Sequence, residues 1–259
     1  MPETNYYKRI RDYVIKAQVD VVTFKDAVDR VYQWAIARKS SYTVACNVHM
    51  AVTASTSHDF LSIINNADLA IPDGSPIAWW LRKIGYKNQE RVCGPDLMWS
   101  LCEKANEGEL NVFFLGSTTE TLGLLSDKLK NSFPKLKIRT LSPPFRKISP
   151  HEDQKIINSI NEFKTNILFV SLGCPKQEQW MASHKGIIQA AMIGVGAAFE
   201  FHAGTVKRAP HWMQKAGLEW LYRLIKEPRR LWKRYFLTNS IFVFEAIKLT
   251  VSKSKNKKR

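Results

Sequence analysis

Long apolar runs are missing from this 259-residue sequence, and their absence limits how the protein can meet a membrane. No stretch approaches the roughly 20 apolar residues that a spanning helix needs. The longest late candidate, residues 240–251, is interrupted by Glu245 and Lys248. The first 16 residues contain no apolar segment of the kind that a secretory signal has. We therefore expect a protein that is soluble or lies on a membrane without crossing it.

Cysteine is scarce, and the four that occur show no paired C-x-x-C spacing. They are Cys46, Cys93, Cys102 and Cys174. This scatter argues against a zinc site and against a disulfide framework, and it suits a reducing compartment.

Three signatures of nucleotide chemistry are absent as well. The segment LGSTTETLG does not match G-x-G-x-x-G, and no acidic residue ends a strand at the distance that a dinucleotide site needs. The sequence lacks G-x-x-x-x-G-K-[ST], which disfavours a phosphate-binding-loop NTPase, and it lacks Asp-x-Asp, the usual metal holder on a nucleotide sugar. We expect no cofactor and no metal, so a transferase here would neutralise its leaving diphosphate with side-chain cations and helix N-termini.

The sequence does contain enough apolar residues for a core and a strongly uneven charge. Hydrophobic residues make up 45% of the chain, and the formal net charge is +16. From Gly204 onward, fifteen Lys and Arg face three Glu, a net +12, whereas the rest carries only +4. The two parts therefore face different partners.

Apolar strand patterns alternate with helical patterns along most of the chain. This alternation predicts an α/β, Rossmann-like, doubly wound and mostly parallel sheet with helices on both faces. Strands are predicted within residues 41–50, 67–74, 111–117, 166–173 and 189–199, and helices within 60–66, 76–84, 96–106, 120–132 and 151–163. We predict this domain to occupy residues 1–203, a basic helical appendage 204–250 and a disordered basic tail 251–259.

Polar residues and glycines follow each predicted strand. In open parallel sheets, ligands bind outside the carboxyl ends of the strands, where glycine permits close approach and helix starts suit phosphate. Ordinary α/β packing is the alternative for any one of these corners. The candidates at them are Asn47, His49, Asp73, Gly116, Ser117, Gly173, Lys176, Gln177, Gly194 and Gly196.

An ordered set of segments resembles one known family. The segments are ADLAIPDG, ERVCGPDLM, VFFLGS, VSLGCPKQEQW, IGVGAAFEFHAGTVKRAPHWMQKAGLEWLYRL and EPRRLWKRY. They are similar to the WecG/TagA/CpsF glycosyltransferases over residues 22–235. The resemblance implies an inverting enzyme that moves a sugar from a nucleotide donor to a polyprenyl-diphosphate-linked sugar. It also implies a cytoplasmic enzyme at the inner face of the membrane, with a C-terminal helical appendage that helps complete the site.

The resemblance gives Asp73 the role of general base, which would take the acceptor hydroxyl's proton. The alternative for Asp73 is a turn or helix cap, since Asp-Gly is common in turns. Arg91 matches an arginine at the phosphates, with a surface salt bridge to Glu90 or Asp96 as its alternative. Gln177 matches a polar pocket residue, with a solvated helix face as its alternative.

One position departs from the family pattern. Asn47 matches the family's Asn at the first strand end, but Ala45 stands where Thr is expected in many members. A hydrogen bond to substrate is therefore missing or is replaced by His49, which leaves the donor's identity open. His49 by itself is more often structural, and a metal role is improbable without partners.

The appendage would supply positive charge and a membrane-facing surface. Arg223, Arg230 and Lys233 match positions where the family appendage is thought to reach toward the diphosphate. The alternative is that these cations face anionic lipid. Aromatic residues interleaved with them suit a membrane interface: Trp212, Trp220, Tyr222, Trp232 and Tyr235.

The resemblance implies a UDP-sugar as the donor, such as UDP-N-acetylmannosamine, its uronic acid, UDP-glucuronic acid or UDP-glucose. It leaves homo-oligomerisation open. Two other functions remain as alternatives: a non-catalytic scaffold of a polysaccharide assembly complex, and a basic nucleic-acid-binding protein. A polar pocket in the sheet domain disfavours nucleic acid as the partner, and the presence of Asp73, Arg91 and Gln177 disfavours the scaffold.

Overall fold

The computed structural model describes residues 9–256, with side chains to residue 251. The strands are β1 (Arg11–Val14), β2 (Ala17–Asp20), β3 (Ser41–Cys46), β4 (Leu69–Pro72), β5 (Asn111–Gly116), β6 (Lys137–Leu141), β7 (Ile167–Ser171) and β8 (Ala191–Gly194). Strands β3 to β8 form one parallel sheet in the order β4-β3-β8-β7-β5-β6. The first two strands pair as a separate antiparallel hairpin.

Helices cover both faces of the sheet. They are α1 (Phe24–Ile36), α2 (Val48–Thr56), α3 (His58–Asn65), α4 (Ser75–Ile84), α5 (Gly94–Glu107), α6 (Thr119–Ser132), α7 (Pro150–Glu162), α8 (Lys176–Ser183), α9 (Ala198–Ala203), α10 (His211–Lys215), α11 (Glu219–Lys226) and α12 (Pro228–Asn256). Successive strand residues alternate between two apolar clusters, with Phe113 and Leu115 in one and Val112 and Phe114 in the other. Burial on both faces explains why these strands read as continuous apolar runs.

The predicted α/β, Rossmann-like fold is confirmed. All five predicted strands and all five predicted helices are present, with ends within a few residues of the expected ones. The sequence patterns missed the hairpin, α1, α2, α9 and β6, and the strand predicted within 189–199 ends earlier, at Gly194. Strand β6 lies at the edge of the sheet, and its sequence KIRTL has exposed polar residues instead of an apolar run.

Helix α12 is longer than expected. It continues to Asn256, so residues 251–256 are helical where the sequence suggested a disordered tail, and residues 257–259 lie outside the described part. No Pro or Gly follows Pro228, so no strong helix breaker stands in this stretch. The division near residue 203 and the other proposed boundaries stay predictions.

The long helix contacts the sheet domain along one side. Leu231, Thr238 and Phe242 are buried, and the Phe242 ring lies 5.4 Å from that of Trp80 in α4. Helix α12 packs mainly against α2. None of the helices within residues 9–256 combines the length and apolar character needed to cross a membrane.

Candidate active site

Asp73 lies at the carboxyl end of β4, beside the end of β3. Its backbone N–H donates to the carbonyl oxygen of Cys46 over 3.0 Å. Asn47, the N-cap of α2, accepts the Met50 N–H and reaches Asp73 Oδ2 with its Nδ2 at 3.5 Å. The two strands thus bring Asn47 and Asp73 together, as the sequence predicted for neighbouring strand ends.

The surroundings of Asp73 make it an unusually strong base for a carboxylate. Burial and the negative charge of Glu219 raise its pKa to about 6, while Arg91, Asn47 and Arg223 act in the opposite direction. Such a carboxyl is still mostly ionised at neutral pH, and it accepts a proton more readily than an ordinary Asp with a pKa of about 3.9.

Arg91, in the loop between α4 and α5, bonds to the appendage. Its Nη1 donates to Glu219 Oε2 over 3.0 Å, and its Nη2 lies 4.0 Å from Asp96 Oδ2. The side chain is only 21% exposed. The alternative of a salt bridge to Asp96 is present as this longer contact, but the side chain is mostly buried and its shorter contact is to Glu219 on α11.

A second arginine, which sequence patterns missed, completes this cluster. Arg208 binds Asp96 through both of its terminal nitrogens, and its Nε lies 3.5 Å from Glu219 Oε1. Burial alone would raise the pKa of Asp96, but hydrogen bonds from Arg208 and Cys93 hold that pKa below its usual value. Glu219 therefore bridges Arg91 and Arg208.

Gly217 sets the approach of α11 to the sheet domain. Its φ is +75°, and a Cβ built there would lie 2.9 Å from Ser75 Cβ. Ser75 is the first residue of α4 and comes two residues after Asp73. A side chain at position 217 would collide with the side chain of Ser75, so glycine permits the close approach of the segment before α11 to the start of α4.

Two cavities flank Arg91 and Asp96. One, of about 560 Å³, lies between α4, the start of α5 and α10. The cations that line it are Arg82, Arg91, Arg208 and Lys215, and Asp96 is its carboxylate. The other, of about 690 Å³, contains Trp99, whose ring stacks on His202 at 5.0 Å. The first cavity is cationic enough to hold a diphosphate.

Gln177 is buried, so the solvated-face alternative is wrong. Its Nε2 donates to Glu178 Oε1 over 2.7 Å, and its Oε1 accepts the Gly196 N–H over 3.3 Å. Gln177 thus joins the corner after β7 to the corner after β8. Lys176, one residue earlier, is exposed.

The candidate glycines divide into two kinds. A Cβ at Gly116 would lie 2.2 Å from the Ser171 carbonyl oxygen, and one at Gly194 would lie 2.8 Å from Met181 Cε. These two glycines permit protein packing. Gly173 and Gly196, with φ of +78° and +53°, have no atom within 4 Å of such a Cβ and therefore border open space.

Two carboxylates beside these corners were not among the predicted site residues. Glu178 is fully buried, and burial raises its pKa to about 7. Glu200 Oε1 accepts from Ser117 Oγ over 2.8 Å, while its buried Oε2 has no hydrogen-bond partner among the described residues. An oxygen of this kind is suited to accept a hydroxyl or N–H group from a ligand.

The appendage cations are placed differently from one another. Arg223 is close enough to Asp73 to lower its pKa, and its guanidinium lies 5.6 Å from the Phe201 ring. Arg230 pairs with Glu227 on the exposed side, and Lys233 lies over Trp232. No contact within the described part of the chain brings these last two to Asp73.

His49 is held neutral near another appendage arginine. Burial and the positive charge of Arg234 lower its pKa to about 4. Its Nδ1 lies 3.5 Å from Thr53 Oγ1 in the same helix, and Ala45 is buried. Replacement of a substrate hydrogen bond by His49 stays a prediction. Among the described side chains, no group of three His, Cys, Asp or Glu could hold a metal ion, and metal independence stays a prediction.

Comparisons with known proteins agree with the predicted resemblance. The sequence model of the glycosyl transferase WecG/TagA/CpsF family matches residues 13–256. One relative is the N-acetylglucosaminyldiphosphoundecaprenol N-acetyl-beta-D-mannosaminyltransferase of Bacillus spizizenii (strain ATCC 23059 / NRRL B-14472 / W23). It is 30% identical over 197 residues, 76% of this chain and 75% of the relative. The protein of the same name from Staphylococcus aureus (strain MW2) is 29% identical over 218 residues, 84% of this chain and 82% of the relative.

Proposed function

Because this chain belongs to the WecG/TagA/CpsF family it is a glycosyltransferase, and we propose that it transfers a sugar with inversion from a UDP-sugar to a polyprenyl-diphosphate-linked N-acetylglucosamine. UDP-N-acetylmannosamine is the first donor to test, since the similar proteins are named for N-acetylmannosamine transfer to such an acceptor. The uronic acid of that donor, UDP-glucuronic acid and UDP-glucose remain as further donors.

The observation that carries this proposal is Asp73 with its raised pKa beside Arg91 and Arg223. In a single displacement, the acceptor hydroxyl oxygen forms a bond to the anomeric carbon while the bond from that carbon to the diphosphate oxygen breaks. Asp73 takes the hydroxyl proton, and UDP leaves with the electron pair. Arg223 stabilises the negative charge that develops on the leaving diphosphate, while Arg91 lines the cavity that we assign to the acceptor.

The two substrates would approach Asp73 from different sides. We assign the donor to the open corners at Gly173 and Gly196, with Ser117 and Glu200 beside them. The acceptor diphosphate would enter the cationic cavity between α4 and α10. His211 lines this cavity, and the next residue, Trp212, is 65% exposed and suited to the headgroup region of a membrane.

The appendage would hold the enzyme on the cytoplasmic face of the membrane. Along α12, exposed Trp232, Phe236, Val243 and Ile247 follow helical spacing on the side away from buried Leu231 and Phe242. The net +12 after Gly204 complements anionic lipid, at about 1 kcal/mol for each basic residue near the surface. This apolar and basic combination is typical of interfacial helices.

The deciding experiment measures UDP release from the four donors, with and without a short-chain polyprenyl-diphosphate-N-acetylglucosamine acceptor. Samples with EDTA and the Asp73→Asn variant run in parallel. We expect acceptor-dependent release from one donor that resists EDTA and is lost in the variant. Release that persists in the variant would exclude Asp73 as the base, and no release from any donor would reject the proposed reaction.

A further inference from the structure

Glu219 differs from the other acidic residues of the appendage. After Gly204 the chain has only Glu219, Glu227 and Glu245. Glu227 and Glu245 form ion pairs with cations of α12, Arg230 and Lys248. Glu219 has no such partner on its own helix and instead contacts two arginines from elsewhere in the chain. Its side chain is 20% exposed.

Those contacts place Glu219 at the catalytic centre. Its Oε2 accepts from Arg91 Nη1 over 3.0 Å, and its Oε1 lies 3.5 Å from Arg208 Nε. Both arginines line the cationic cavity. Glu219 thus orients Arg91 through a charge-assisted hydrogen bond, whereas Arg208 is oriented by Asp96 and meets Glu219 as an ion pair.

Asp73 is the third functional neighbour of Glu219, after Arg91 and Arg208. The charged groups that act on it are Glu219 and Arg223 from α11 and Arg91 from the loop before α5. Asn47 reaches it from the start of α2, and the Cys46 thiol lies beside it on β3. Among these groups only Glu219 adds a negative charge that opposes ionisation of Asp73 at neutral pH.

We propose that Glu219 is a positioning residue of the catalytic centre that the appendage supplies, holding Arg91 in place and keeping a negative charge beside Asp73. This inference rests on the proposed function, because it assigns the role within that reaction. An anionic neighbour makes a carboxylate a stronger proton acceptor. Docking of α11 therefore raises the proton affinity of Asp73 and also completes the cation cluster.

A purely structural role predicts a different result. If Glu219 only attached α11 to the sheet domain, any hydrogen-bond acceptor of similar shape would suffice. Glu219→Gln keeps an oxygen that can accept from Arg91 and removes the charge. The variant therefore separates the charge beside Asp73 from the attachment of the helix.

The experiment compares the pH dependence of kcat/KM for the full-length wild type, Glu219→Gln and Glu227→Gln. Loss of the negative charge favours ionised Asp73, so the acid limb of Glu219→Gln should move to lower pH. We expect a shift of about half a pH unit or more, with a severalfold lower rate above the limb, because a weaker base is a poorer proton acceptor. Glu227→Gln removes the same charge from α11's C-terminal flank and should coincide with wild type.

The position of the limb does not depend on the fraction of correctly folded protein, so partial misfolding cannot imitate the shift. Glu219→Asp, which keeps the charge, should retain the wild-type limb. The inference would be overturned if the acid limb of kcat/KM lay at the same pH in wild type and Glu219→Gln. It would also be overturned if the limb moved equally in Glu219→Gln and Glu227→Gln.

Failure of the proposed reaction is distinguishable from failure of this inference. An NMR titration of the Asp73 carboxyl carbon in wild type and Glu219→Gln needs no turnover. A lower titration midpoint in the variant supports the charge effect even if the donor or acceptor is misassigned. An unchanged midpoint rejects the inference, even where wild-type turnover confirms the proposed function.

Discussion

At the strand ends of the sheet, polar residues are tied to backbone groups of neighbouring strands or corners, whereas in the segment after Gly204 polar side chains are held by other charged side chains. Asp73 and Gln177 each have a backbone contact to the neighbouring strand or corner. Glu219 and Arg208 are held by salt bridges to residues far away in sequence. The comparison suggests that the sheet fixes where the chemistry occurs, while the appendage adjusts the charge around it.

The largest expected effect tests the sheet side of this comparison. Asp73→Asn keeps the size of the side chain and removes the base, so kcat should fall by about 10²–10⁴-fold. UDP release under saturating donor and acceptor measures it. Asp59→Asn in α3 changes an exposed carboxylate and serves as the control. Comparable losses in both variants would show that the effect is not specific to Asp73.

Arg91 lies where the two regions meet, and its removal should act opposite to removal of Glu219. Arg91→Gln takes a cation away from Asp73, so the pKa of Asp73 should rise and the acid limb of kcat/KM should move to higher pH. The rate should fall by about 10–100-fold, since a hydrogen bond to a charged group contributes about 1.5–3 kcal/mol. Limbs that move in the same direction in Arg91→Gln and Glu219→Gln would contradict this account of the charges.

The exposed face of α12 offers a test of the appendage alone. Phe236→Ser combined with Phe244→Ser should weaken sedimentation with anionic vesicles by about tenfold or more, because each buried Phe contributes about 1.5–3 kcal/mol. Turnover of a long-chain acceptor in vesicles should fall more than turnover of a short-chain acceptor. Phe145→Ser, at an 84% exposed Phe in the sheet domain, is the matched control. Equal vesicle binding by all three proteins would argue against this face as the docking surface.

The smallest expected effect concerns stability at the buried corner after β7. The pKa of Glu178 is raised to about 7 by burial, so the native state loses stability as pH rises from about 4.5 through 7. Glu178→Gln should therefore raise the melting temperature at pH 8, by at most the equivalent of about 3 kcal/mol, and by much less at pH 5. Glu103→Gln, at an exposed position in α5, should change little at either pH. A gain that is independent of pH would mean that ionisation of Glu178 is not its cause.

Sequence patterns predicted the sheet and most residues at its carboxyl edge, because strand burial leaves a periodic apolar pattern and polar residues follow it. Asp73, Asn47 and Gln177 could be found this way. Glu219 and Arg208 could not, since their contacts span 128 and 112 residues and depend on where α10 and α11 dock. The scarcity of acidic residues after Gly204 was the one available signal for Glu219.

Family resemblance did not distinguish among the appendage cations. Arg223 is close enough to Asp73 to lower its pKa, but Arg230 pairs with Glu227 just before α12, and Lys233 lies over Trp232. The rotation of α12 about its axis decides which of its side chains face the sheet domain, and that rotation depends on which residues pack against α2. Buried Leu231 and Phe242 set that rotation, and a sequence rich in aromatics on every side of the helix does not reveal it.

The contact between Gly217 and Ser75 has a consequence for how this enzyme could be adjusted. Because Gly217 has no side chain, α11 can lie close to α4, and this packing sets the spacing between the carboxylate of Glu219 and the base Asp73. Even a single methyl group there would separate them, through both the collision with Ser75 and the strain of a positive φ. The strength of the base at Asp73 would thus depend on the size of one uncharged residue.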